Sequence, residues 1–190
     1  MKTTLLKTLL LALTVLFGGC AVPTNDFAAE ERVSPVPHFG LYVEIEMFTD
    51  RQLLLFYDAS LEWERLTDGR AQIEWLAEPP GPDDDGNGTV NWVLPERSHC
   101  ESPPAIGCAF YGPPEKGIEF VDHGWEWTDQ LFYAVALHEL GHYLGEWEHS
   151  ENETDIMYAG IVSQENLTVN DIRMWCQLTG SDSQACNVFR

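Results

Sequence analysis

Residues 128–145 read TDQLFYAVALHELGHYLG, and no other stretch constrains the fold as tightly. The pattern predicts a long helix from about Thr128 to Gly145. Within it His138 and His142 stand four apart, so both imidazoles lie on one helical face and can share a metal ion. Glu139 adjoins the first of them and can reach a metal-bound water as general base. Taken alone, the spacing also occurs in helices that merely contain two histidines and a glutamate.

The residues that follow add context. Gly145 comes three residues after His142, at a position suited to the positive φ with which helices end. His149 follows within a turn, and Asp155-Ile156-Met157-Tyr158 comes after it. The run HELGHYLGEWEHSENETDIMY resembles the metzincin metallopeptidases, and their matrixin branch in particular. The pattern of that family is H-E-x-x-H-x-x-G-x-x-H, followed by a methionine turn beneath the metal. Gly145 matches the helix-ending glycine and Met157 the methionine of the turn. One spacing departs from the pattern: Glu146, Trp147 and Glu148 separate Gly145 from His149, one residue more than the family places there. Strict alignment puts Glu148 at the third-ligand position, whereas a one-residue insertion in the turn puts His149 there. The His149–Met157 interval of eight residues and the His149-Ser150 pair are similar to the matrixin arrangement and favour His149. Zinc also prefers histidine in such three-ligand sites, although Glu148 is an acceptable alternative.

The resemblance implies a zinc-dependent endopeptidase acting on protein or peptide substrates. His138, His142 and His149 would hold Zn2+, Glu139 would serve as general base, and Met157 would form a structural floor below the metal. The implied fold is α/β (α+β), a zincin domain with a mixed twisted sheet, an active-site helix and a C-terminal helix. An edge strand ahead of the active-site helix would align extended substrate, and residues 117–122 are the segment expected to supply it. Leu167-Thr168-Val169-Asn170-Asp171 looks like the family's C-terminal helix start. Metzincin domains commonly bind structural calcium, so Ca2+ is a further expectation, with no ligands assigned. A zinc-retaining but inactive binding module is the alternative, should the longer turn spoil the third ligand. The retained Glu139 argues against it, because a binding module needs no base. A structural or adhesion lipoprotein with an accidental motif is a third reading, which the glycine, histidine and methionine context disfavours.

The amino terminus carries a different signal. Lys2 and Lys7 precede a short apolar run, Leu9 to Phe17, in the layout of a secretory signal. That run is too short to span a bilayer. Phe17-Gly18-Gly19-Cys20 resembles a bacterial lipoprotein signal with Cys20 at the lipidation point; ordinary secretory cleavage near Gly19 is the alternative. The expected organisation is therefore a signal peptide over residues 1–19, a lipidated Cys20 and flexible tether over 20–39, and a catalytic domain over 40–190. The chain would be exported and held on a bacterial membrane by its lipid, or otherwise secreted. Cys20 is the only cysteine ahead of the domain, and reading it as the anchor leaves no inhibitory cysteine of the matrixin propeptide kind. Export leaves Cys100, Cys108, Cys176 and Cys186, an even number in an oxidising compartment. Of three connectivities, the near-neighbour pairs Cys100–Cys108 and Cys176–Cys186 are preferred; a four-cysteine zinc site lacks the usual tight spacing.

Charge excludes other functions. The chain has 31 acidic and 10 basic residues, a formal charge of −21. Cleavage before Cys20 removes Lys2 and Lys7 and no acid, leaving −23 and Lys116 as the only lysine. Nucleic-acid binding needs clustered Lys and Arg and is not expected. A peptidase with this field would draw in basic or neutral peptides and repel acidic ones. No feature bears on oligomeric state.

Alternation predicts strands over residues 41–48, 70–78, 89–94 and 117–122. A helix is expected from Asp50 to about Leu66, capped by Asp50, with Leu53, Leu54, Tyr57, Leu61 and the Trp63/Leu66 region buried. A final helix should start near Thr168. Asp83-Asp84-Asp85-Gly86-Asn87-Gly88 looks like the opening of a calcium loop, but lacks the closing glutamate and flanking helices, so a solvated acidic loop is preferred. His38, His99 and His123 read as surface histidines, and Trp125, Trp127 and Trp147 as packing residues beside the active-site helix.

Overall fold

The computed structural model describes residues 39–81, 87–100, 105–112, 115–145, 148–160, 164–180 and 184–188. The expected signal peptide, Cys20, His38, Asp83 to Gly86, Glu146 and Trp147 lie outside them. Residues Pro37–Arg190 form one compact unit. In chain order its elements are β1 (Phe39–Val43), α1 (Asp50–Leu66), β2 (Ile73–Trp75), β3 (Asn87–Val93), β4 (Gly107–Gly112), β5 (Glu115–Val121), α2 (Asp129–Tyr143), α3 (Val169–Thr179) and the short α4 (Gln184–Asn187). Among the described residues no helix is long and apolar enough to cross a membrane.

The sheet has the order β2-β1-β3-β5-β4. Its first four strands run parallel, and β4 pairs antiparallel with β5. The mixed α/β architecture is thus the one expected, but the edge is not. Residues 117–122 were expected to form the edge strand; β5 instead lies inside the sheet, between β3 and β4. The edge on that side is β4, for which no strand was expected. Glycines close both ends of β4 and the Cys100–Cys108 disulfide lies at its start, so its sequence shows little alternation.

The first strand also ends early. Expected to reach residue 48, it stops at Val43, and Ile45–Met47 curl into a 3-10 turn that leaves Ile45 and Met47 exposed. Alternation alone cannot distinguish a strand from a turn whose apolar side chains face solvent. The second strand is likewise shorter than residues 70–78, because a turn around Asp68 and Gly69, both at positive φ, occupies its expected beginning.

Helix α1 has the expected limits but a different cap. Thr49, not Asp50, accepts the Gln52 N–H at 3.2 Å, and the Gln52 side chain accepts the Thr49 N–H at 2.9 Å, a reciprocal capping box. Asp50 occupies the first turn, where its charge complements the helix dipole. The buried face is Leu55, Phe56, Ala59, Ser60 and Trp63, while Leu54 and Leu61 are each 40% exposed. Two apolar stripes exist on this helix, and the sheet and α2 select the one carrying Phe56 and Trp63. Phe56 stands edge-on to Phe120 of β5, and Trp63 Nε1 donates to the Leu137 carbonyl of α2 at 2.9 Å.

Helix α2 runs through the core. Phe132, Ala134, Val135, Ala136, Leu137, Leu140 and Tyr143 are all buried, leaving no wide solvent face. An aromatic cluster of Phe48, Trp92, Phe120, Trp127 and Phe132 packs it on the sheet, with Phe120 and Phe132 stacked at 4.7 Å. Trp127 is therefore a packing residue, whereas Trp125 is 49% exposed and stacks on His123. At the other end, the Tyr143 hydroxyl donates to the Gly40 carbonyl at 2.7 Å.

Disulfides close two loops, Cys100–Cys108 before β4 and Cys176–Cys186 between α3 and α4. The fully buried Glu119 holds the approach to the first of these. It accepts from Ser98 Oγ at 3.0 Å, from the His99 N–H at 2.8 Å and from His99 Nδ1 at 2.6 Å. Replacing Trp63 by Ala removes the contact that joins α1 to α2 and should cost about 3–5 kcal/mol of unfolding free energy in a denaturant titration. A loss below about 1 kcal/mol, the scale of a single hydrogen bond, would contradict that role.

Candidate metal centre

His138 and His142 project from the last turns of α2, and His149 comes from the segment that returns beneath it. Thr128 caps this helix by accepting the Leu131 N–H at 3.1 Å. Gly145 ends it with a φ of 105°, a backbone that L side chains rarely adopt, and so turns the chain back toward the histidines. The Trp175 indole of α3 donates to the Leu144 carbonyl at 3.2 Å, satisfying one of the orphaned groups at the helix end.

The three imidazoles converge. His142 Nε2 lies 3.1 Å from His138 Nε2 and 3.1 Å from His149 Nε2. His138 Nδ1 donates to the Ile156 carbonyl at 2.7 Å, which fixes the tautomer and directs the Nε2 lone pair into the group. Desolvation lowers the pKa of His138 to about 3, helped by the neighbouring His142, and desolvation also lowers that of His149. Both shifts favour the neutral ring, the state in which histidine ligates. Glu148 is exposed and is not part of the convergent group. His99 lies against Glu119, and His123 Nε2 against the Ala105 carbonyl at 2.8 Å.

Glu139 is buried, 5% exposed, between α2 and β4. Its Oε2 is buried without a hydrogen-bond partner among the described residues. Burial raises its pKa to about 8, against a backbone hydrogen bond from Ala109 of β4. The contact is close enough to require glycine: a Cβ on Gly107 would lie 2.8 Å from Val135 and 3.0 Å from Glu139 Oε1.

A family profile for matrixins, the M10 peptidases, matches residues 55–180. The chain belongs to the matrixin family. The structure is also similar to metalloproteinase-II from Bacteroides fragilis, with 16% identity and a TM-score of 0.42. The match covers 74% of this chain and 52% of that one, so the chain spans about half the length of that protein. No curated protein matches the sequence at a significant level.

Matrixins are zinc metallopeptidases, and the donor set of this matrixin domain fits zinc. Four tetrahedral ligands at about 2.0–2.1 Å from the metal stand roughly 3.3 Å from one another, close to the 3.1 Å separations here.

Several residues that shape the site were not apparent from the sequence. Gly141 is one: a Cβ there would lie 2.5 Å from Met157 Sδ and 2.8 Å from Trp63 Cζ2, so the matrixin methionine packs directly against helix backbone. Met157 itself is fully buried. Asp171 is another. Besides capping α3, its carboxylate accepts the N–H groups of Thr168 at 2.7 Å, Ile156 at 3.2 Å and Met157 at 3.0 Å. Thr168 and Asp171 form a reciprocal capping box at the start of α3, and nothing in their spacing points to the clamp on the methionine turn.

Asp155 is the third. Burial pushes its pKa up, but hydrogen bonds from Ser150, Asn170, Thr168 and Asn152 outweigh this and hold it below its ordinary value of 3.8. A depressed folded-state pKa contributes stability above the unfolded value, and that stability is lost as pH falls through the folded one. The stability gap between wild type and Asp155→Asn should therefore be full at neutral pH and shrink steadily below pH 3.8, as read by thermal unfolding across pH. A gap that widens on acidification would contradict the assignment.

Proposed function

We propose that the domain is a zinc endopeptidase, with His138, His142 and His149 as metal ligands and Glu139 as general base. The observation that carries this reading is the convergence of three imidazole nitrogens at 3.1 Å beside a buried carboxylate with an unpartnered oxygen. Bound zinc supplies Lewis acidity toward a water and toward the carbonyl of the scissile peptide. Glu139 takes the proton of the attacking water and returns it to the leaving nitrogen. Its buried setting, which raises proton affinity, suits a group that must both accept and release a proton near neutral pH. The free edge of β4 is the place for an extended substrate to add as a further strand, and Glu139 lies directly behind that strand.

Zinc content and casein hydrolysis test the reading. Glu139→Gln should retain zinc and lose about 10²–10⁴-fold in hydrolysis. His149→Ala should lose zinc, while Glu148→Ala keeps it. Wild-type protein without zinc would overturn the proposal, and zinc without hydrolysis of any peptide in a library would favour the inactive binding module.

The same reading places the domain outside the cytoplasm, tethered through a lipid on Cys20. The basic start, apolar run and Gly18-Gly19-Cys20 junction support it, and two disulfides accord with an oxidising compartment. Expression in a bacterial host with labelled palmitate should label the wild type and not Cys20→Ser. Equal labelling of both, or of neither, would sink the anchor.

A further inference from the structure

Three residues, Glu146 to Glu148, separate Gly145 from His149, one more than the matrixin pattern, so the end of α2 alone does not dictate where the His149 ring lies. The chain is gripped instead from the other side of the histidine. Ser150 is buried, and its N–H donates to the Met157 carbonyl at 2.7 Å in an isolated parallel bridge between Ser150 and Tyr158. Its hydroxyl donates to Asp155 Oδ2 at 2.6 Å and accepts the Asn152 N–H at 3.1 Å.

Asp155 is 1% exposed and takes three further side-chain hydrogen bonds. These come from Thr168 Oγ1 at 2.9 Å, from Asn152 Nδ2 at 3.1 Å and from Asn170 Nδ2. A carboxylate so buried is tolerated because its oxygens are satisfied, and the same bonds leave it little freedom. Thr168 and Asn170 belong to the start of α3, so Asp155 ties that helix to the residue beside His149. Asp171 does the corresponding work for His138, by accepting the Met157 N–H of the peptide whose Ile156 carbonyl receives His138 Nδ1.

We infer that Asp155 is a positioning residue for the third zinc ligand. It fixes Ser150, and through Ser150 the backbone of His149. The inference rests on His149 being a ligand, as proposed above. Asp155 touches neither metal nor substrate in this scheme and acts only through the adjacent residue.

The test is zinc affinity of the full chain, measured by competition with a chromophoric chelator, together with the visible absorption of the Co2+-loaded protein. Asp155→Ala and Ser150→Ala should each weaken zinc binding by about tenfold or more, the usual effect of losing outer support for a ligand. Their Co2+ bands should lose intensity as the third imidazole disengages. Phe56→Leu, a core substitution in α1, should lower stability and leave both readouts unchanged, which separates positioning from general destabilisation. If Asp155→Ala does not fold, Ser150→Ala decides alone, since it leaves Asp155 three donors. Zinc affinity within twofold of wild type in Ser150→Ala overturns the inference while the zinc site stands. Wild-type affinity in His149→Ala overturns the ligand assignment itself and the inference with it.

Discussion

The hydrogen bond from His138 Nδ1 to the Ile156 carbonyl is the contact on which the rest of the site depends. It crosses from the active-site helix to the turn that carries Met157, and it decides which nitrogen of His138 is free to ligate. Neither partner is held by that bond alone. The helix is kept in place by Trp63, whose indole reaches the Leu137 carbonyl, and by the fit of Met157 against Gly141. The turn is kept in place by Asp171, which accepts both its peptide N–H groups. A small displacement of either layer would change the distance between imidazoles, and zinc sites tolerate little of that.

Behind this bond lie two buried carboxylates, Asp155 and Asp171, each with several donors. Burying a carboxylate is costly, and here several donated hydrogen bonds offset that cost for each of them. Glu139 is the contrast. It is also buried, but one of its oxygens has no hydrogen-bond partner among the described residues, and burial raises its pKa. Two environments thus give these carboxylates different characters: Asp155 and Asp171 are held by several donors, and Glu139 keeps one oxygen without a partner among the described residues.

The edge strand β4 links this site to the sheet. It approaches Glu139 closely enough that Gly107 cannot carry a side chain, and it is held by β5 on one side and by the Cys100–Cys108 disulfide at its start. Glu119 pins the segment leading into that disulfide. A strand at the edge of the sheet among the described residues, held this firmly, is what the proposed addition of an extended chain requires.

The histidine pair, the glycine that ends the helix, the methionine turn and the family all follow from local spacing, because helical periodicity and positive-φ turns are properties of a few neighbouring residues. The limits of α1 and the start of α3 were legible for the same reason. What sequence did not reveal depends on partners far along the chain. Alternation could not show that β4 is the edge and β5 interior, since strand order is set by pairing and not by pattern. The buried side expected for α1 included Leu54 and Leu61, but α2 and the sheet bury Leu55, Phe56 and Ala59 alongside Trp63 and leave those two leucines exposed. Asp155 was legible only as part of the methionine-turn run and Asp171 only as part of a helix start, and only the fold brings their hydrogen bonds to Ser150 and Ile156. Local sequence determined the chemistry this matrixin domain carries; tertiary packing decided how that chemistry is held, because the distances that matter are between residues that the chain keeps apart.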